Sequence, residues 1–287
     1  MQQNINGKTQ VLGVIGNPIE HTISPIIHNT LAKLLQMNLV YVPFKVEQNG
    51  LDKAIEGAKA LGIVGLNVTV PHKEKVIATL YDINPLAKQI GAVNTLKLTE
   101  KGYVGYNTDA DGLFRSLNKH AIRLRGSDIV IIGAGGAARA VAMLCAREKA
   151  NKITIMNRTL AKAKELAHQV RQHYQTQVEV IGFQETEGID TFDVAIQTTP
   201  IGMFPNIRDN PMTDDSFYDK FHTAVDLIYN PGKTAFLKKA EEKGIQILNG
   251  FEMLLYQGIK AYEIWHNLEI SDNALEEVIG QIKHQNG

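Results

Sequence analysis

Asp128-Ile-Val-Ile-Ile-Gly133-Ala-Gly135-Gly136-Ala137-Ala138 is the stretch whose reading decides the fold. An unbroken apolar run passes directly into a glycine-rich turn, and the residues Ala137–Lys149 that follow have helical character. The spacing is G-x-G-x-x-A, placed after a strand and before a helix. In that context Gly133 permits the tight turn, Gly135 lets the backbone approach a pyrophosphate, and small Ala138 allows helix to pack on strand. The phosphates would sit at the positive end of the helix. The stretch predicts a dinucleotide-binding βαβ unit.

The end of the next predicted strand selects the dinucleotide. An NAD enzyme usually places Asp or Glu there to accept hydrogen bonds from the adenosine ribose. This chain has Met156-Asn157-Arg158-Thr159, followed by Lys162. A carboxylate would repel a 2′-phosphate, whereas Arg158 offers a planar fork of donors and Lys162 a point charge. The competing reading is a solvated helix start, and the missing acid argues against it. The expected cofactor is NADP(H).

Outward from this unit, short apolar runs alternate with amphipathic stretches, the pattern of an α/β fold with mainly parallel strands. On the N-terminal side, Val11–Ile15, Val40–Val46 and Ile63–Val70 read as strands, with helices over Pro25–Gln36 and Leu51–Leu61. Asn94–Leu98 and Tyr103–Tyr106 read as a hairpin, and a helix from about Ala110 to His120 leads away from it. On the C-terminal side the expectation is strand Lys152–Met156, helix Leu160–Tyr174, and strands Val178–Ile181, Phe192–Gln197 and Ala224–Ile228. Helix Thr234–Lys243, strand Gln246–Leu248 and helices Glu252–His266 and Asp272–Lys283 complete it.

The 287 residues suit two domains. Thirty Lys+Arg balance thirty Asp+Glu, which argues against a nucleic-acid partner, since such binding needs a basic surface stripe. Cys145 is the single cysteine, so an intrachain disulfide or a cysteine zinc cluster is excluded, and it reads as a small buried residue. The apolar run near the N-terminus is too short for a signal peptide, and no stretch approaches a membrane span. A cytoplasmic protein without membrane or nucleic-acid partners is expected. The sequons Asn67-Val-Thr69 and Asn157-Arg-Thr159 are then chance matches to a glycosylation signal.

No Walker-type loop and no H-E-x-x-H motif is present, which removes the obvious ATPase and zinc-protease readings, and the nine histidines are scattered. Two Tyr-x-x-x-Lys matches, Tyr41/Lys45 and Tyr256/Lys260, read as coincidences, the first lying in a strand beside Pro43. More informative is Asn67-Val-Thr69-Val-Pro71-His-Lys73. Alternation puts Asn67 and Thr69 on one side of a strand end, and Pro71 is expected to start a helix whose first turn carries Lys73. Polar side chains converging where α/β strands end are where ligands bind. Gly91-Ala-Val-Asn94-Thr95 and Asn107-Thr-Asp109 are further polar clusters, each also explicable as turn and cap chemistry.

With these residues in view, the chain resembles the shikimate dehydrogenase family over nearly its whole length. The matching stretches are Gly16-Asn-Pro18-Ile-Glu-His21-Thr22-Ile-Ser24-Pro25 with His28-Asn29, Asn67 through Lys73, Gly91 through Thr95 and Asn107-Thr-Asp109. They continue with the Gly133 loop, Asn157-Arg158-Thr159, Asp226-Leu-Ile-Tyr229-Asn-Pro231 and Gly250 through Gln257. The resemblance implies NADP-linked reversible reduction of 3-dehydroshikimate to shikimate, a step of aromatic amino-acid biosynthesis. It implies that Thr22 and Ser24, with Tyr229, hold the substrate carboxylate, and that Asn67, Thr69, Asn94 and Gln257 hold the ring hydroxyls. Lys73 and Asp109 would be the catalytic pair. On the cofactor side it implies Gly133, Ala134, Gly135, Gly136 and Ala137 for the pyrophosphate, Asn157, Arg158, Thr159 and Lys162 for the adenosine end, and Leu227 and Gly250 near the nicotinamide.

Physical chemistry agrees with these roles. Hydride addition to a ketone creates an oxyanion, which a lysine ammonium stabilises and to which it can deliver a proton. Whether Lys73 is the donor or an electrostatic clamp, with Asp109 or water relaying the proton, is open at the level of sequence. The chain departs from the family pattern at Thr22, where serine is common, at Gln197-Thr-Thr-Pro-Ile-Gly-Met203, and at Lys162, where arginine is frequent. The expected fold class is thus two α/β domains. The N-terminal substrate domain takes residues 1–109 with 250–287, and a Rossmann-type NADP-binding domain takes 110–249, with the active site in the cleft between them and a monomer or homodimer as the assembly. The alternatives are a quinate/shikimate dehydrogenase of broader substrate or NAD use, and a non-catalytic metabolite-sensing regulator of the same fold.

Overall fold

A computed structural model describes residues 5–20, 22–183, 185 and 188–286. The chain divides into two units, residues 1–108 with 257–287 and residues 109–256. His21, part of the first motif, lies outside the described residues.

The first unit contains β1 (Gln10–Gly16), α1 (Ser24–Leu34), β2 (Leu39–Lys45), α2 (Leu51–Ala60), β3 (Gly65–Val68), β4 (Asp82–Ile83), α3 (Pro85–Ile90), β5 (Thr95–Thr99) and β6 (Gly102–Tyr106). Its six strands lie in the order β2-β1-β3-β5-β6-β4, with β5 antiparallel to both neighbours and the other pairings parallel. The apolar run of β1 suits a central strand covered on both faces. Ile15, Leu66, Val68, Leu96 and Tyr103 meet Leu51, Ile55 and Ala58 of α2 in one core. α1 opens with Pro25 in its first turn, where the fixed φ of proline is already helical.

The second unit contains α4 (Asp109–Lys119), β7 (Asp128–Ile132), α5 (Gly136–Arg147), β8 (Lys152–Met156), α6 (Leu160–His173), β9 (Gln177–Ile181), β10 (Phe192–Gln197), β11 (Phe221–Asp226), α7 (Ala235–Glu242) and β12 (Gln246–Leu248). Its sheet is parallel throughout, in the order β12-β11-β10-β7-β8-β9. Numbered from β7, this is the 3-2-1-4-5-6 order of the doubly wound dinucleotide fold, and its switch point lies between β7 and β10. Cys145 is buried in α5, and burial pushes its thiol up to about 12, so it packs as an apolar residue. Helix α8 (Phe251–His266) begins in this unit and ends in the first, and α9 (Asp272–Asn286) belongs to the first. Among the described residues, no helix is long and apolar enough to cross a membrane.

The structure corrects one expectation near the site. Pro71 does not start a helix: residues 71–74 form turns, and a short 3-10 helix begins only at Lys75. The cause is backbone pairing, one bond within the turn and one across the fold. His72 N–H bonds to Thr69 O at 2.9 Å, and the Lys73 carbonyl accepts from Val93 N–H at 2.8 Å, which removes it from any helical ladder. The strand expected at Ala224–Ile228 runs instead over Phe221–Asp226, because the Asp226 side chain accepts from Ile228 N–H at 2.9 Å and turns the chain.

Candidate active site

In the first unit, one antiparallel strand assembles the polar residues. β5 runs against β3, so its beginning lies beside the end of β3 with Asn67 opposite Thr95, and the end of β6 arrives next to it with Tyr106 opposite Thr95. Segments 67–69, 94–95 and 107–108, distant in sequence, therefore converge at one end of the sheet. Asn67, Asn94, Thr95, Asn107 and Thr108 are all buried there. Asn67 Nδ2 donates to Asn94 O at 3.2 Å and to Thr95 Oγ1 at 3.1 Å. Asn94 Oδ1 accepts from Thr108 N–H at 2.8 Å and from Thr95 Oγ1 at 3.0 Å. Buried polar groups this well matched rigidify a site, whereas a half-satisfied network costs stability.

Thr69 and Lys73 follow from the end of β3 and are half-buried. The Thr69 methyl fills the place where a Cβ on Gly16 would stand, so the glycine that ends β1 is required by the close passage of this segment. Because the Lys73 carbonyl is tied to Val93, directly before Asn94, its side chain starts from the same end of the sheet. Ser24, buried at the start of α1, takes a hydrogen bond from the Thr22 hydroxyl at 3.2 Å and returns one through its own N–H at 3.3 Å. Gln257, half-buried in α8, belongs to this unit, while Asp109 and Tyr229 belong to the second. The expected substrate set is thus mostly gathered on one unit.

In the second unit, Gly133 directly follows β7 with φ +118°, a conformation that side chains rarely adopt, and a Cβ there would stand 2.5 Å from Thr198 Oγ1. Thr198 follows β10 across the switch point and bonds Ile132 O through both its N–H at 2.9 Å and its hydroxyl at 2.7 Å. Gly135 is the opposite case: a Cβ there would meet nothing within 4 Å. Gly135, Gly136 and Ala137 are exposed, and α5 has neither a side-chain cap nor an acidic residue in its first turn. These exposed N–H groups at a positive helix end fit a pyrophosphate. Ala138 is fully buried against the sheet.

Arg158 and Lys162 are exposed at the start of α6, whose first turn is free of acids, and neither side chain has a partner among the described residues. Asn157 shapes this turn by donating from Nδ2 to Thr159 O at 2.8 Å. Two cations without carboxylates fit the 2′-phosphate of NADP. Leu227 and Gly250 are also brought together, since Gly250 N–H donates to Ile228 O at 3.1 Å and a Cβ on Gly250 would overlap the Leu227 carbonyl group.

The Gln197–Met203 segment has a structural account. Gln197, fully buried at the end of β10, accepts from Thr199 N–H and donates to Ile201 O at 3.1 Å and to Asp226 Oδ1 at 3.4 Å. Asp226 also accepts from the Thr234 hydroxyl at 2.6 Å. Burial pushes the Asp226 carboxyl up from 3.8 to about 6, against the opposing pull of these hydrogen bonds. A folded-state value above the unfolded one means that the native state binds the proton more tightly, so this stabilisation is complete below pH ~3.8 and is lost as pH rises through about 6. Relative to Asp226→Asn, the wild type is expected to lose on the order of 3 kcal/mol of unfolding free energy between pH ~4 and ~7. Urea unfolding of both proteins across this range measures it, and parallel profiles would show that the buried carboxylate carries no such cost.

A doubly wound sheet with an open glycine turn, and a polar constellation carrying one lysine, define a dinucleotide-dependent oxidoreductase. The profile of the shikimate dehydrogenase substrate binding domain matches residues 14–96, and that of shikimate / quinate 5-dehydrogenase matches residues 116–204. The chain is 41% identical to shikimate dehydrogenase (NADP+) of Methanothermobacter thermautotrophicus, the match covering 96% of this chain and 99% of that one. A crystal structure of a shikimate dehydrogenase in complex with NADP+ superposes with a TM-score of 0.88 at 41% identity, covering 96% of each chain. The shikimate 5-dehydrogenase of Listeria monocytogenes, in complex with shikimate and NAD, gives a TM-score of 0.90 at 30% identity, covering 97% of this chain and 99% of that one. The chain belongs to the shikimate dehydrogenase family.

Proposed function

We propose that the protein catalyses the NADP-dependent reversible reduction of 3-dehydroshikimate to shikimate, with residues 1–109 and 250–287 binding the substrate and residues 110–249 the cofactor. The observation that carries this reading is the pairing of an open Gly133–Ala137 turn and unpaired Arg158 and Lys162 with the buried Asn67–Thr95–Asn94 constellation. The bound cofactor supplies the hydride. Gly133, Ala134, Gly135, Gly136 and Ala137 bind its pyrophosphate through main-chain N–H groups, and Asn157, Arg158, Thr159 and Lys162 hold its adenosine end. Leu227 and Gly250 line the nicotinamide side.

The substrate carboxylate is held by the hydroxyls of Thr22, Ser24 and Tyr229, while Asn67, Thr69, Asn94 and Gln257 orient the ring hydroxyls. Lys73 and Asp109 are the catalytic groups. As hydride reaches the ketone carbon, the Lys73 ammonium stabilises the growing negative charge on oxygen, and a proton completes the alcohol. The protein acts in the cytoplasm as a monomer or homodimer, without membrane or nucleic-acid partners.

Initial rates with shikimate and with quinate, each with NADP and with NAD, test this. Shikimate with NADP is expected to be fastest, and replacing NADP by NAD should lower kcat/KM roughly 10- to 100-fold, the worth of one or two charge-assisted hydrogen bonds. No turnover in all four combinations would overturn the enzyme reading and favour a regulator. Equal rates with NAD would remove the role given to Arg158.

A further inference from the structure

Tyr41 lies in the middle of β2, fully buried, and is held from α1 in two ways. Asn29 accepts from Tyr41 N–H at 2.9 Å and donates from Nδ2 to Tyr41 O at 2.9 Å, so one side chain clamps both main-chain groups. The His28 ring stacks on the phenol ring with centroids 4.2 Å apart and planes 19° from parallel. His28 is itself buried, and burial pushes its imidazole down to about 3 against the opposing pull of the Asn67 side chain, keeping it neutral. The phenol, fixed in this way, donates to Asn67 Oδ1 at 2.7 Å.

The direction of that hydrogen bond is forced. A main-chain carbonyl can only accept, so the side of Asn67 facing Asn94 O must be its Nδ2. Both protons of Nδ2 are then used, on Asn94 O and Thr95 Oγ1, and Oδ1 is turned toward the Tyr41 hydroxyl. Oδ1 keeps one lone pair beside the His28 ring, and Nδ2 has no proton left to give, so Asn67 can only accept.

We infer that Tyr41 is a positioning residue for substrate recognition: held by His28 and Asn29, its hydroxyl fixes Asn67 as an obligate acceptor, so that the site selects a ring hydroxyl and rejects a carbonyl or ether oxygen there. This rests on the proposed function for the identity of the substrate. It gives the His28-Asn29 pair a task that the reaction itself does not.

Tyr41→Phe keeps the ring, its stack on His28 and both bonds from Asn29, and removes the hydroxyl, which acts on Asn67 and also lies against Ser24. Asn67 can then turn or rock, and KM for shikimate is expected to rise about tenfold while KM for NADP stays within twofold; Tm falls by a few degrees, because buried Oδ1 loses its donor. Shikimate analogues lacking one ring hydroxyl at a time supply the second measurement. The analogue that is poor for the wild type because it cannot donate to Asn67 should lose little further with Tyr41→Phe, as two changes to one interaction are not additive. A fall in Tm with KM for shikimate unchanged, or fully additive losses for every analogue, would overturn the role of Tyr41 alone. Absence of shikimate turnover by the wild type would overturn the proposed function and this inference with it.

Discussion

Lys73→Ala is expected to lower kcat about 10³- to 10⁴-fold while NADPH binding stays within twofold of the wild type. The size follows from the two services that one ammonium can perform at the developing oxyanion: proton delivery and electrostatic stabilisation, each worth orders of magnitude in a water-poor site. Alanine leaves the main-chain anchors of this residue in place. The Lys73 carbonyl pairs with Val93 N–H and the preceding turn with Thr69 O, and alanine keeps both. Steady-state kinetics together with fluorescence titration of NADPH give the two readouts, and near-normal kcat would remove Lys73 from the mechanism. Lys73→Arg then separates the two services. Arginine keeps the charge but does not release a proton near neutral pH. Substantial recovery of kcat would identify Lys73 as an electrostatic clamp, and failure to recover would identify it as the donor.

Gly250→Ala is the substitution expected to damage the fold most. The added methyl would overlap the carbonyl of Leu227 and stand 3.1 Å from its Cα, and these are main-chain atoms with no rotamer to change. The same approach is held by the Gly250 N–H bond to Ile228 O, while the Gly250 carbonyl accepts from Leu254 N–H in the first turn of α8. Relief therefore requires the exit of β11 and the start of α8 to separate. A loss of roughly 3 kcal/mol is expected, at the upper end of overpacking effects, with NADP affinity falling alongside it. Gly57→Ala is the matched control. It lies inside α2 with open space around its Cβ, where alanine should stabilise by about 0.5–1 kcal/mol. Urea unfolding of the two variants should move in opposite directions, and an unchanged midpoint for Gly250→Ala would show that this approach is not rigid.

The nucleotide-binding unit was legible because its signals are local. A buried strand, a glycine turn and a helix are contiguous from Asp128 to Arg147, and strands β8, β10 and β12 begin and end at the residues their apolar runs indicate. The other unit was legible as elements, but less so as a site. Asn67, Thr69 and Lys73 share one stretch and Asn94 stands in another, yet nothing in either stretch states that an antiparallel strand brings them together. Tyr41 escaped because its importance lies in partners far along the chain, and it drew notice only through an unrelated spacing with Lys45; Thr95 was noticed in its polar cluster, but not its bond to Asn67. The helix expected at Pro71 failed because propensity is a local argument and the bond that ties the Lys73 carbonyl to Val93 is not. Helix α3 was missed although its signal is present: Asn84 caps Leu86 N–H at 3.0 Å and Pro85 occupies the first turn.

The single reversed strand also decides where this unit can tolerate change. Because β5 starts at the polar end of the sheet, its turn into β6, around exposed Glu100 and Lys101, lies at the opposite end. Residues inserted in that turn lengthen a surface loop, whereas one residue inserted before Thr95 would shift the register and send every side chain of β5 to the other face. The unit thus has a pole that tolerates insertion and a pole that does not, and a tag or fluorophore carried at Glu100 or Lys101 would travel with the substrate site without entering it.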